Sequence, residues 1–293
     1  MRPSGSIPWF SVLSVVACVL ALAPAVRADK PLRQTIDEHL LAAWQKKKIT
    51  PAPSSSDATF LRRIYLDLAG VIPSYEQARA FLEDTSPDKR AKLIEELLKS
   101  PRYALHQADV WDRVLVGRDP PESRVRERDS FVKFLREAFE KNTRYDAFVA
   151  KLLRAEGNTV DEGAPVYLVQ FGRRPEDAIE SVTQMFLGVQ LQCARCHDHP
   201  YEPWKQVDFY GMAAFLTRLE LGTMGKEGNQ TKLALGEKST GEMNFTEGTQ
   251  QTPGKKGTQV SPRFLAGAEL NEPELPKDFK EVKFEGNKPI PEP

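Results

Sequence analysis

The chain is short of the side chains that most often carry chemistry. It has three cysteines and four histidines in 293 residues. So few cysteines allow at most one internal disulfide, which excludes a disulfide-stapled scaffold. An excess of charge of one sign is also missing, since 41 basic side chains face 41 acidic ones. That balance gives no electrostatic case for nucleic acid or for an anionic membrane surface. Beyond the N-terminal leader, no stretch approaches the roughly 20 apolar residues of a membrane-crossing helix. There is no G-x-S-x-G elbow, no H-E-x-x-H pair and no Gly-rich phosphate loop. Carboxylates are so abundant that no acid–base pair singles itself out. The length does allow a real core, in one or two domains.

The first 28 residues read as a leader. Arg2 precedes a largely apolar run from Ile7 to Ala25, and Val26-Arg27-Ala28 offers small residues where a signal peptidase reads. Cleavage after Ala28 would remove two arginines and no acid. The remaining 265 residues would carry 39 basic and 41 acidic side chains, a net charge of −2. The expected address is therefore exported, periplasmic or extracellular. A minor alternative makes Val15-Val16-Ala17-Cys18 a lipoprotein box with Cys18 lipidated. The apolar residues Val19 to Leu22 speak against it, since a mature lipoprotein usually turns polar there.

Against this sparse background one run stands out, Cys193-Ala194-Arg195-Cys196-His197. It is C-x-x-C-H, the spacing that attaches a c-type haem. Two thiols meet the two vinyl groups on one porphyrin edge, and His197 comes next as axial ligand to the iron. Cys193 and Cys196 are the only cysteines outside the leader. Two other readings stay open. Cys193, Cys196, His197 and His199 form a chemically possible zinc set, although four ligands within seven residues converge poorly on a tetrahedral ion. Alternatively, Cys193 and Cys196 form a disulfide, structural or redox-active, as export favours. No alternating βαβ pattern surrounds the pair, which argues against a thioredoxin-like role.

From about Gln34 to Leu219 the pattern is helical. Ile36, Leu40, Leu41 and Trp44 form a first stripe, and Pro51 to Ser56 break it. Asp57 is expected to cap a helix with Phe60, Leu61, Ile64, Tyr65 and Leu68, closed by Gly70 and Pro73. Ser74 with Gln77 reads as a capping box, and Ser86-Pro87 and Ser100-Pro101 as helix starts. Further helices are expected near Asp129 to Lys141, Asp146 to Ala155, Glu176 to Leu191 and Val207 to Leu219. After Leu221 the long hydrophobics are spaced singly, and residues 250 to 293 hold seven prolines. The expected fold is mainly α: a helical domain over 29–220 and an extended or partly disordered, Pro/Gly-rich C-terminal tail over 221–293, in which a short hairpin is allowed.

The run from Phe186 to Pro200, FLGVQLQCARCHDHP, resembles the signature of an exported planctomycete family, DUF1549, the planctomycete cytochrome C type 2 (PSCyt2) domain. Phe60 to Gly70, Leu97 to Tyr103 and Trp204 to Phe215 resemble it too, so the similarity covers roughly 34–220. It implies a cytochrome-c-like exported domain and little more about activity. Such domains are usually followed by a second one. The proline-rich end reads as a linker toward it, so a partner supplying that domain is expected.

The haem reading leads, as an electron carrier with a redox partner protein. The non-haem alternative is an extracytoplasmic scaffold or interaction protein in which the Cys pair is a disulfide or metal clip. Around the motif, Arg195 is a candidate for a haem propionate, and Asp198 for orienting the second ring nitrogen of His197. Tyr201, Trp204, Phe209 and Tyr210 either cover a porphyrin or fill the core. Candidates for the opposite axial position are Met185, Met212, Met224 and Met243, with Met185 and Met212 in apolar helical patterns. His199 reads as a hydrogen-bonding neighbour, and His39 and His106 as distant, ordinary histidines. Arg62, Arg63 and Asp67 share a helix as a possible buried ion pair.

Overall fold

The computed structural model describes residues 30–118, 128–228, 230–245, 257–271 and 274–281. The expected leader and Cys18 lie outside these residues, as does much of the chain after 245. Among the described residues there are ten α-helices and five short strands. None of the described helices is long and apolar enough to cross a membrane. The chain divides into two compact units, 1–55 and 56–293.

The first unit contains α1 (Leu32–Lys47), which ends on a left-handed residue, Lys48, with φ of 55°. The expected stripe is helical, but Ile36, Leu40 and Leu41 are exposed.

The second unit opens with α2 (Asp57–Ala69), α3 (Tyr75–Glu83) and α4 (Lys89–Lys99). Leu61, Tyr65 and Ala69, four residues apart on α2, pack with Phe81, Leu93 and Leu97 in a small core. The cap of α2 is Ser56, whose hydroxyl accepts from the Thr59 amide; Asp57 instead forms salt bridges with Lys89 and Arg90. Gly70 ends α2 in the left-handed region (φ 67°), and a side chain there would also collide with His106. Arg62, Arg63 and Asp67 are all exposed rather than a buried ion pair. Ser74 and Gln77 do form the capping box. Ser86 does not start a helix: its amide donates to Asp84, and α4 begins at Lys89.

The larger core gathers α5 (Pro101–Leu115), α6 (Asp129–Glu140), α7 (Tyr145–Leu153), α8 (Val166–Val169), α9 (Pro175–Val182) and α10 (Gln206–Ala214). Ser100 caps α5 by accepting from the Tyr103 amide, with Pro101 in the first turn. All four residues of α8 are buried. Gln170, just after it, satisfies its buried amide on the carbonyls of Leu115 (3.0 Å) and Tyr167 (2.8 Å). Burial pushes the Tyr167 hydroxyl up to about 12, against the opposing hydrogen bond with Ser181.

Beyond 221 the described residues include the hairpin that the sequence allows and a second, shorter strand pair. β2 (Leu219–Glu227) and β3 (Gln230–Glu237) form an antiparallel hairpin, and β1 (Gly157–Asn158) pairs on the far side of β3. Leu221, Leu233, Ala234 and Leu235 are buried. Leu233 to Gly236 are buried in succession, so this central strand is covered on both faces. β4 (Met243–Phe245) pairs with β5 (Thr258–Val260). Beyond them Arg263 reaches α10: its amide donates to Gly211 and its guanidinium pairs with Asp208 at 2.5 Å. β2 spans residue 220, and Leu221, Leu233 and Leu235 of the hairpin pack in the larger core.

Candidate functional site

The segment that delivers Cys193 is a helix that changes pitch. α9 passes at Thr183 into a π-helical turn, Thr183–Leu187, which closes at Gly188 in the left-handed region (φ 66°). Thr183 is fully buried and its hydroxyl donates to the Ile179 carbonyl at 2.9 Å. Single π turns insert an extra residue into a helix and often mark functional positions. The expected continuous helix to Leu191 therefore stops early.

After Gly188 the chain sinks Leu191 into the core and forms one 3₁₀ turn, Gln192–Arg195. With three residues per turn, side chains at i and i+3 lie one above the other. Cys193 and Cys196 have that spacing, and the Cys196 amide donates to the Cys193 carbonyl at 3.4 Å. Ala194 between them is wholly buried and anchors the turn. Cys193 is exposed and Cys196 half-buried, and the two thiols are not joined to each other.

His197 is exposed, and its Nδ1 lies 2.7 Å from the Asp198 carbonyl oxygen. A carbonyl only accepts, so Nδ1 is the donor in this contact, and in the neutral ring the Nε2 lone pair is then the one left over. Ligating histidines commonly donate their other ring N–H in this way. The expected orienting role of Asp198 is thus carried by its backbone. Its carboxylate instead accepts from the Gln206 amide at 3.0 Å, at the start of α10.

His199 organises the loop: its Nδ1 accepts from the amides of Tyr201 and Glu202, and its amide donates to the Trp204 carbonyl at 2.8 Å. Among the described residues no group of three or more His, Cys, Asp or Glu side chains is placed to hold a metal ion. Arg195, a candidate for a propionate, is held within the protein. Its Nη1 donates to Asp177 at 2.8 Å and to Glu180 at 3.1 Å. Burial pushes the Glu180 carboxyl above its ordinary range, against the pull of Arg195. Burial opposes the charge on Arg195, but the hydrogen bonds to Asp177 and Glu180 outweigh it and raise its pKa. The Arg195 carbonyl also receives the Tyr210 hydroxyl at 3.2 Å.

The four aromatic candidates separate. Phe209 is fully buried, Trp204 and Tyr210 pack against the larger core, and Tyr201 is 92% exposed. The methionines separate too. Met212 and Met243 are core residues, while Met224 is exposed on β2. Met185, on the π turn, is half-buried and lines a groove of about 350 Å³ together with Glu180, Gln184, Leu191 and Cys193. The apolar pattern around Met185 points to a core position; the π turn sets it beside the motif instead. His106 packs against Gly70, and His39 is exposed on α1. A second cleft, of about 360 Å³, lies between Arg173, Glu220 and Lys238, whose charges are paired with one another.

The residue types fit a c-type haem: two thiols three residues apart that are not bridged, followed directly by an imidazole. Residues 35–220 match the family described as a protein of unknown function (DUF1549), PSCyt2. The chain belongs to that family. The match ends at the second residue of β2, within the hairpin. No curated protein and no solved structure matches the chain.

Proposed function

We propose that this protein is an exported haem-c protein that passes electrons to a redox partner protein. The observation that carries the reading is the 3₁₀ turn together with the histidine at its exit. Cys193 lies in the turn and Cys196 directly after it, three residues on, and the His197 Nδ1 contacts the Asp198 carbonyl. Cys193 and Cys196 would hold the porphyrin through thioethers, and His197 would bind the iron through Nε2. When bound, haem supplies a one-electron couple. The Asp198 carbonyl keeps His197 in the ligating tautomer. Arg195 holds the turn against α9 through Asp177 and Glu180. The leader at residues 1–28 supports export, into the compartment where such attachment is made.

Expression in a host that matures c-type cytochromes tests this through an absorption spectrum and an intact mass. A Soret band and one added haem, both lost in Cys193→Ala plus Cys196→Ala, are expected. His197→Ala should keep the added mass but change the spin state of the iron. A colourless protein of plain polypeptide mass, from a host shown to mature a control cytochrome, overturns the proposal. It would favour a scaffold whose cysteines form a clip.

A further inference from the structure

We infer that Gln206, the first residue of α10, is a positioning residue for His197: its amide holds Asp198, and Asp198 in turn directs the imidazole. The consequence for iron rests on the haem reading above.

Gln206 is buried, at 8% exposure, and a buried amide side chain is costly unless it is hydrogen-bonded. Its bonds lead to the motif. The backbone amide donates to Asp198 Oδ1 at 3.0 Å, and the side-chain Nε2 donates to the Arg195 carbonyl at 3.3 Å. Arg195 comes directly before Cys196, and Asp198 directly after His197. One helical turn further on, the Tyr210 hydroxyl donates to the same Arg195 carbonyl at 3.2 Å. The start of α10 therefore grips the chain on both sides of the Cys196-His197 pair.

The bond to Asp198 is the one that reaches the ring. The Gln206 amide belongs to the first turn of a helix, whose N–H groups lack intrahelical partners. The Asp198 carboxylate satisfies it, in a charge-assisted bond at the end of a helix that favours negative charge. Asp198 is thereby fixed to a rigid element, and its carbonyl lies 2.7 Å from His197 Nδ1. His197 is exposed, so core packing does not set its ring. A free neutral imidazole in water carries its proton mainly on Nε2, where it leaves no lone pair for a metal. The Asp198 carbonyl draws that proton to Nδ1 instead. A ligating imidazole that donates from its other nitrogen is also more basic, which favours ferric iron and lowers the potential of the couple.

The first test needs no haem. The full chain, unloaded and carrying nitrogen-labelled histidine, is read by NMR at a pH of about 8, where imidazole is neutral. The His197 signals are those lost in His197→Ala. In wild type the ring proton should sit on Nδ1. Gln206→Pro removes the amide hydrogen yet suits the first helical position, and Lys205 before it is already extended (φ −98°, ψ 164°). That variant should shift the proton toward Nε2, and Asp198→Ala should do the same. Asp198→Asn should keep it on Nδ1, because its side-chain oxygen still accepts from the Gln206 amide. Should Gln206→Pro fail to fold, the two Asp198 variants decide.

The second test reads midpoint potentials of the haem-loaded chain. Gln206→Pro should lie above wild type, and Asp198→Ala above Asp198→Asn. The last two have lost the same charge, so their difference isolates the hydrogen bond. A wild-type proton on Nε2, or one that stays on Nδ1 in folded Gln206→Pro or in Asp198→Ala, overturns the positioning role. Potentials that do not separate in this order overturn its effect on the iron. A wild-type chain that takes up no haem overturns the haem reading alone, and the unloaded chain still decides the role of Gln206.

Discussion

Arg195 Nη1 lies 2.8 Å from Asp177 Oδ1, tying the turn between the two cysteines to α9, eighteen residues upstream. The same nitrogen reaches Glu180 Oε1 at 3.1 Å. A side chain that the motif alone offers to a propionate is instead a strut. It fixes the 3₁₀ turn relative to the groove wall.

Replacing that strut should be felt as unpaired acid. The side chains of Arg195, Asp177 and Glu180 are 29%, 23% and 19% exposed, between a surface pair and a buried one. Arg195→Ala should therefore cost about 2 kcal/mol in urea unfolding at neutral pH. Burial already raises the Glu180 pKa in the folded state, which means the fold prefers its neutral form. Stability linked to Glu180 is then greatest below the unfolded carboxyl pKa and falls as pH rises through the folded value. The cost of Arg195→Ala should shrink toward zero below pH of about 4. A cost that does not change with pH would show that packing, and not charge, is what Arg195 supplies.

The hairpin that extends past the family match should be needed for folding. Leu233 and Leu235 are buried to 1% and 0% and belong to the same core as Phe131 and Phe209. Leu235→Ala should cost about 2–5 kcal/mol, as other buried leucine truncations do. A chain ended after Glu220 should lose its cooperative thermal transition by circular dichroism. A sharp transition in that shortened chain would make the hairpin an accessory.

Much of the helical layer is legible in the sequence because its signals are local. Ser74 with Gln77, and Ser100 with Pro101, depend on residues within four positions of each other, and both form as read. The hairpin is far less legible. Leu233 and Leu235 alternate with small and polar residues, a pattern too short to outweigh the surrounding Gly, Thr and Lys. Local signals also mislead: Asp57 looks like a cap, yet its carboxylate is drawn to Lys89 and Arg90, over thirty residues away. At the site, the Cys–Cys–His spacing is written in five residues. The partners of Arg195, the backbone role of Asp198 and the place of half-buried Met185 beside Cys193 depend on a π turn and on packing. No short window of sequence specifies them.

The anchor of the cysteine turn should tolerate no added bulk. Ala194 is completely buried between two cysteines that reach solvent. Ala194→Leu should lower stability by about 1–3 kcal/mol through overpacking. It should also make Cys196, the half-buried thiol, react faster with a thiol reagent under native conditions. Unchanged labelling of Cys196 beside a loss of stability would mean that the core, and not the turn, absorbs the strain.

Gly188 separates backbone from crowding. It ends the π turn at φ of 66°, and a Cβ built there would meet nothing within 4 Å. Gly188→Ala therefore introduces no clash, and any cost must come from holding an L-residue in the left-handed region, about 1 kcal/mol. Gly188→Asn should cost less, because asparagine adopts that region more readily than alanine. Equal losses in the two variants would point to side-chain contacts that the open space around Gly188 does not provide. The graded loss, read by urea unfolding, would place the requirement on the backbone. It would explain why a glycine stands where the chain must leave its helix and turn Cys193 toward the groove.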